Sequence, residues 1–215
     1  MIRLYVFDLD GTLVDSLKDL ADSANVLLVE CGGAPLDEDA VGRMVGEGAA
    51  TLVARAFAKA GLEPPPDALG RFLAIYDTRL LHHTRAYDGM ADALAGLAPR
   101  APLAVLTNKP IAATRRILEG LDLARFFDPA AVLGGDGPLP RKPDPAGLLE
   151  LCARAGVDAG DAMLVGDSLV DWKTARNAGA QVCLARYGFG FREFPRDRLD
   201  GRERLIDAAP DLLRI

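Results

Sequence analysis

Residues 4–16 read LYVFDLDGTLVDS, and the fold follows from them. An apolar run ends at Phe7, two aspartates follow at Asp8 and Asp10, and Gly11 comes next. A run without polar alternation fits a strand buried on both faces. In an extended stretch Asp8 and Asp10 project to the same side, and Gly11 lets the chain turn sharply into Thr12. The arrangement recurs at 164–171, LVGDSLVD, where Asp167 and Asp171 follow the run Ala162 to Val165 beside Gly166. Two acidic pairs, each at the end of a buried run, predict one shared acidic cup. Carboxylates that close either hold a proton or share a cation. Oxygen ligands of this kind suit Mg²⁺, which takes a few carboxylates, waters and phosphate oxygens. The residues therefore predict a metal-dependent enzyme acting on phosphate.

Outward from these motifs, apolar runs recur at 3–7, 102–106, 131–134, 162–165 and 181–185. Helical patterns lie between them. Pro110 opens a helix from Ile111 to Leu121 with Gly120 marking its end. Asp144 and Pro145 open another that stops at Gly156, and Trp172 to Ala178 stops at Gly179. Strand–helix alternation predicts an α/β fold, a Rossmann-like open parallel sheet with helices on both faces. Ligands in such sheets bind beyond the carboxyl ends of the strands, where Asp8, Thr107 and Asp167 converge.

The stretch 16–86 departs from this pattern, having no convincing strand. Leu17, Leu20, Ala21, Ala24, Leu27 and Leu28 share one helical face, Leu52, Val53, Ala56, Phe57 and Ala60 a second, and Leu69, Phe72, Leu73, Tyr76 and Leu80 a third. Pro64–Pro66 stiffens the link between the last two. The expected organisation is a catalytic core of residues 1–15 and 87–215 and an inserted all-helical cap of residues 16–86, hinged at the mouth of the site.

The 215 residues carry 25 basic and 31 acidic side chains, a net charge of −6, and half are apolar. A globular chain is implied, and a nucleic-acid partner is excluded for want of concentrated positive charge. The arginines at 192, 196, 198, 202 and 204 alternate with acids and read as solvated surface. Three widely spaced cysteines without a CxxC fit free thiols in a reducing compartment. With no apolar stretch of membrane-spanning length and no leader pattern, no membrane partner is expected and the cytoplasm is the expected location.

The chemistry can be assigned residue by residue. A carboxylate can attack a phosphoryl group covalently, and a second can protonate the leaving oxygen and later activate water. Asp8 is read as nucleophile and Asp10 as acid/base, with Mg²⁺ bridging Asp8, Asp167 and a phosphate oxygen. Thr107 and Asn108 offer donors to the phosphoryl oxygens ahead of the helix opened by Pro110, and Lys142 offers a charge from a proline-stiffened loop. Gly46 and Gly48 offer backbone N–H groups over the site, and Arg43 or Arg55 could meet a substrate carboxylate. Tyr87, Tyr187 and Phe189 are read as either entrance or core residues.

With these residues in place, the chain resembles the haloacid dehalogenase-like hydrolase superfamily. DLDGTLVDS, LTNKP, RKPDP and GDSLVD occur in the family's order, with a helical cap after the first motif, over nearly the whole length. The resemblance implies Asp8 as nucleophile, Asp10 as acid/base and Thr107 and Lys142 as positioning groups. It also implies Gly11 and Thr12 beside the phosphate, Asp8, Asp10 (through its carbonyl) and Asp167 on Mg²⁺, and Asp171 and Ser168 in support. The strand order it implies is 5-4-1-2-3. The wording is most similar to the bacterial phosphoglycolate phosphatases, through VGEGA at 45–49, TNKP at 107–110, GGDGPLPRKPDP at 134–145 and YGFG at 187–190. YDGM at 87–90, and Leu169 and Val170 in the fourth motif, depart from that pattern.

The expected activity is hydrolysis of a small phosphorylated carbon acid or sugar through an aspartyl-phosphate, with 2-phosphoglycolate foremost, by a monomer or homodimer. A sugar-phosphate phosphatase or phosphomutase would share every carboxylate. Dehalogenases of the superfamily lack the second aspartate. Phosphonate-cleaving relatives use a cap lysine, and Lys18 and Lys59 stand in no such motif. A silent phosphate-binding regulatory module would be expected to lose Asp8, Asp10 or Lys142.

Overall fold

The computed structural model describes residues 1–215. Its centre is β1, Leu4–Phe7, whose four residues are all buried. Leu4 and Val6 face one apolar cluster, Tyr5 and Phe7 the other, as the two-residue repeat of a strand requires. The chain then forms β2 (Val14–Asp15), α1 (Leu17–Glu30), α2 (Glu38–Gly42), α3 (Ala49–Lys59), α4 (Ala68–Asp77) and β3 (Arg85–Ala86). Next come α5 (Met90–Leu97), β4 (Leu103–Leu106), α6 (Ile111–Gly120), β5 (Val132–Leu133) and α7 (Ala146–Ala155). β6 (Ala162–Gly166), α8 (Leu169–Ala178), β7 (Gln181–Ala185) and β8 (Arg204–Ile206) complete the chain, with short 3-10 turns between.

The main sheet runs β5-β4-β1-β6-β7-β8, every pairing parallel. Its first five strands stand in the order that the resemblance implied. The sixth, β8, extends the edge beyond β7 and was not anticipated. Arg204 and Leu205 are exposed and only Ile206 is buried, so the sequence there carries no strand signal. Arg204 is thus a strand residue, and its side chain is solvated as expected.

Three helix boundaries also differ from expectation. α8 begins at Leu169, before Trp172, because Ser168 and Asp171 cap each other's backbone N–H. α7 begins at Ala146, with the Asp144 side chain accepting from its N–H at 2.9 Å. α6 ends at Gly120, one residue before Leu121, and a Cβ there would lie 2.3 Å from Leu81, so the glycine also admits close packing against the segment after α4.

The helical insertion leaves and rejoins the sheet at one place. β2 and β3 pair antiparallel, Val14 with Ala86 and Asp15 with Arg85. Asp19 of α1 is buried and accepts from the backbone N–H of His83 and of Thr84 and from the Thr84 hydroxyl. The three predicted stripes are buried at Leu20, Leu27, Leu28, Leu52, Phe57, Phe72 and Tyr76, whereas Leu69 is exposed. They join Tyr5, Phe7 and Val105 of the sheet in one cluster of 39 buried residues. The inserted helices pack on one another and share that cluster with one face of the sheet, and burying each large apolar side chain contributes roughly 1.5–3 kcal/mol. No helix is long and apolar enough to cross a membrane.

Candidate active site

β1, β4 and β6 are adjacent, and their carboxyl ends carry Asp8, Thr107 and Asp167. Asp8 is 6% exposed and forms an ion pair with Lys142 Nζ at 2.8 Å. The same ammonium meets Asp171 Oδ1 at 2.6 Å, so one lysine joins the loop before α7 to β1 and to α8. The second Asp171 oxygen accepts from the Ser168 N–H and hydroxyl. Asp167 Oδ2 accepts from Gly190 N–H at 2.7 Å. A Cβ at Gly11, whose φ is +85°, would stand 2.0 Å from that oxygen, so glycine is required both by the turn and by the approach of Asp167.

Oxygens of Asp8, Asp167 and Asp171 lie within 4.8 Å of one another. Three carboxylates against one ammonium leave a formal excess of two negative charges, the complement of one divalent cation. Burial pushes the Asp8 carboxyl up to about 6, against the pull of Lys142. Burial, then the charges of Asp171 and Asp8, raises Asp167 well above the carboxylate range. For Lys142 burial opposes the charge, but Asp171 and Asp8 outweigh it and hold the ammonium above its ordinary range. The all-oxygen donor set and its unbalanced charge fit a hard cation.

Asp10, two residues further, accepts from the Ser16 hydroxyl and, through both oxygens, from Lys109 Nζ at 2.9 and 3.0 Å. Asp8, Asp10, Thr107, Asn108 and Lys109 line one side of a cavity of about 200 Å³. Gly46, Gly48, Leu52, Phe72, Tyr76 and Leu80 of the helical insertion line the other. Lys142, Asp167 and Asp171 are not on its wall and reach it through Asp8.

Several expected donors are employed otherwise. The Asn108 amide donates to Gly46 O and Lys142 O, each at 2.9 Å, and its oxygen accepts from Lys142 N–H at 2.9 Å. It is a brace between the lysine loop and the insertion rather than a free donor. Gly46 correspondingly presents its carbonyl, and not its N–H, to that contact. Thr12 is buried away from the cavity, its hydroxyl without a partner and its carbonyl accepting from Tyr187. Arg55 pairs with Glu47 at 2.6 Å, and Arg43 lines a separate small pocket with Asp39 and Arg192; neither reaches the cavity. Tyr87 and Tyr187 pack together with centroids 4.6 Å apart, and Phe189 is buried.

Lys109, Tyr76, Ser16 and Gly190 were missed as site residues. Lys109 and Gly190 lie inside TNKP and YGFG, so a signal was present. Tyr76 sits in a helical stripe, where an aromatic residue reads as core.

A buried strand-end carboxylate, a lysine-paired carboxylate cluster and a covered cavity fit a hydrolase of the α/β class with a helical insertion. The chain matches the haloacid dehalogenase-like hydrolase family over residues 5–185, and it belongs to that family. It is 49% identical to the phosphoglycolate phosphatase of Rhodospirillum rubrum over 199 residues, 88% of this chain and 81% of that one. With the phosphoglycolate phosphatase of Nitrosospira multiformis the identity is 39%, covering 87% and 85% of the two chains. The crystal structure of a predicted phosphoglycolate phosphatase from Haemophilus somnus superposes with a TM-score of 0.89 at 31% identity, over 99% of this chain and 97% of that one.

Proposed function

We propose that the protein is a Mg²⁺-dependent phosphomonoesterase that hydrolyses 2-phosphoglycolate to glycolate and phosphate through an aspartyl-phosphate. The observation that carries this reading is the buried Asp8, held at 2.8 Å by Lys142 at the end of a small cavity, with two further carboxylates behind it. The relatives named phosphoglycolate phosphatase support the substrate. So do the largely apolar walls contributed by the insertion, which leave few partners for the hydroxyls of a sugar.

In this mechanism an Asp8 oxygen attacks phosphorus and the P–O ester bond breaks. Asp10 hands its proton to the departing alkoxide. It then takes a proton from the water that attacks the aspartyl-phosphate, returning Asp8 as a carboxylate and releasing phosphate. Lys142 aligns Asp8 and balances the charge gathering on the phosphoryl oxygens, and the Thr107 hydroxyl donates to one of them. Asp171, locked by Ser168, keeps Lys142 in place. Asp8, the Asp10 carbonyl and Asp167 would hold Mg²⁺, which supplies charge neutralisation to attacking and transferring oxygens when bound. Residues 16–86 act as a cap over a core of 1–15 and 87–215. Three unpaired thiols support a reducing, cytoplasmic setting.

Phosphate release from 2-phosphoglycolate, sugar phosphates and pyrophosphate, with and without EDTA, tests this reading. Activity undiminished by EDTA refutes the metal, and equal rates across the panel refute the substrate. Asp8→Asn is expected to lower kcat by about 10⁴-fold or more with an unchanged circular dichroism spectrum. Near-normal turnover would remove the nucleophile assignment.

A further inference from the structure

Lys109 is the only basic side chain on the wall of the cavity, since Arg43 and Arg55 lie elsewhere. It is 6% exposed, and its ammonium stands 4.6 Å from the centroid of the Tyr76 ring, which belongs to α4 of the insertion. An ammonium has three donors. Those reaching Asp10 occupy its two oxygens, and on the Tyr76 side the ammonium stands over the ring. Tyr76 is 4% exposed, lines the same cavity, and its hydroxyl has no hydrogen-bond partner. A buried hydroxyl left unpaired is costly, so its retention beside a buried cation calls for a ligand that satisfies both.

We infer that Lys109 and Tyr76, one from each side of the cavity, form the recognition site for the carboxylate of a small phosphorylated acid. The inference rests on the phosphatase reading above and assigns its specificity. Charge selects the group: a carboxylate accepts from ammonium and phenol together and offsets a cation whose one acidic partner is Asp10. A sugar hydroxyl brings no charge. Position selects the length: Asp10 lies two residues from Asp8 and binds Lys109 directly, so the carboxylate sits close beyond the leaving oxygen. A cavity of about 200 Å³ leaves no room for a nucleotide. Because recognition is shared between core and insertion, it is complete only when the two are in contact.

Steady-state kinetics on 2-phosphoglycolate and on ethyl phosphate, which carries a methyl group in place of the carboxylate, test this. The readout is the ratio of the two kcat/KM values. The wild-type enzyme is expected to favour 2-phosphoglycolate. Lys109→Met is expected to lower the ratio about 100-fold, mainly through KM, with Lys109→Arg restoring part of it. Tyr76→Phe keeps the ring in its buried place and removes only the hydroxyl, so folding is expected to be intact; the ratio should fall about tenfold. Both activities falling together in Lys109→Met, with the ratio unchanged, would overturn the inference by showing that Lys109 serves Asp10 alone. If Lys109→Met does not fold, an unchanged ratio in Tyr76→Phe overturns it equally. A wild-type enzyme that cleaves both esters equally well also removes it but leaves the phosphatase standing, whereas one that cleaves no monoester removes both.

Discussion

On the sheet side of the cavity every charged group has a protein partner: Asp8 and Asp171 share Lys142, Asp167 takes a backbone N–H from Gly190, and Asp10 holds Ser16 and Lys109. On the helical side the wall is mostly Val45, Leu52, Phe72, Leu73 and Leu80, and the Tyr76 hydroxyl bonds nothing. The difference separates two tasks. A reacting phosphoryl group needs charges fixed in direction, and networks of buried pairs fix them. Choosing among esters needs a shape and one or two polar contacts, which an apolar surface supplies. The sheet side should thus respond to mutation in stability and turnover, the helical side in selectivity.

Lys142→Met presses the contrast hardest. It leaves Asp8 and Asp171 buried without their cation, and removing one partner of a buried ion pair costs roughly 3–5 kcal/mol. Urea denaturation should show that loss in metal-free protein, with turnover abolished. A loss below about 1 kcal/mol would mean that the pairs are solvated and the sheet side is not the rigid one.

The second prediction concerns the cation. The Asp8 carboxyl is raised by burial from 3.8 to about 6, so the folded chain holds that proton more tightly than the unfolded chain. The resulting stabilisation of the metal-free protein is full below the unfolded value of 3.8 and is lost as pH rises through about 6. For Asp8 alone this is about 3 kcal/mol, and Asp167 shifts in the same direction. The melting temperature of EDTA-treated protein should therefore fall between about pH 4 and 7, and added Mg²⁺ should raise it more at about pH 7.5 than at pH 5. Equal increments at both values would place the cation outside the cluster.

The third and smallest effect falls on the contact between the two sides. Asn108→Ala removes three hydrogen bonds to Gly46 and Lys142, and leaving those backbone groups unpaired should cost about 1–3 kcal/mol. Thermal melting measures it, and kcat should drop with the loosened lysine loop. Wild-type stability would show that the bridge contributes nothing.

Sequence reading found the strands that continuous apolar runs announce, β1, β4, β6 and β7, and the carboxylates that stand at their ends. It failed where the signal was doubled or absent. Ser168 and Asp171 were read as chemistry and are also a reciprocal helix cap, which set the start of α8 wrongly. β8 is three residues long with one buried, and α2, at five residues, is too short for a stripe. Asn108 has the right chemistry for a phosphate donor, and only the fold commits its amide on both ends. Tyr76, at the end of α4, and Lys109 are separated by β3, α5 and β4. Neither residue type nor spacing predicts that their polar ends meet.

The β2–β3 ladder ties the two ends of the helical insertion together. Asp19 fastens His83 and Thr84 to the first inserted helix, so the way out of the insertion is riveted to the way in. Any swing of the helices away from the sheet must bend at the short stretches on either side of that rivet. Such a swing would break together the contacts that join the insertion to the rest of the chain, among them Asn108 on Gly46, Arg116 on Asp77 and Arg192 on Asp39.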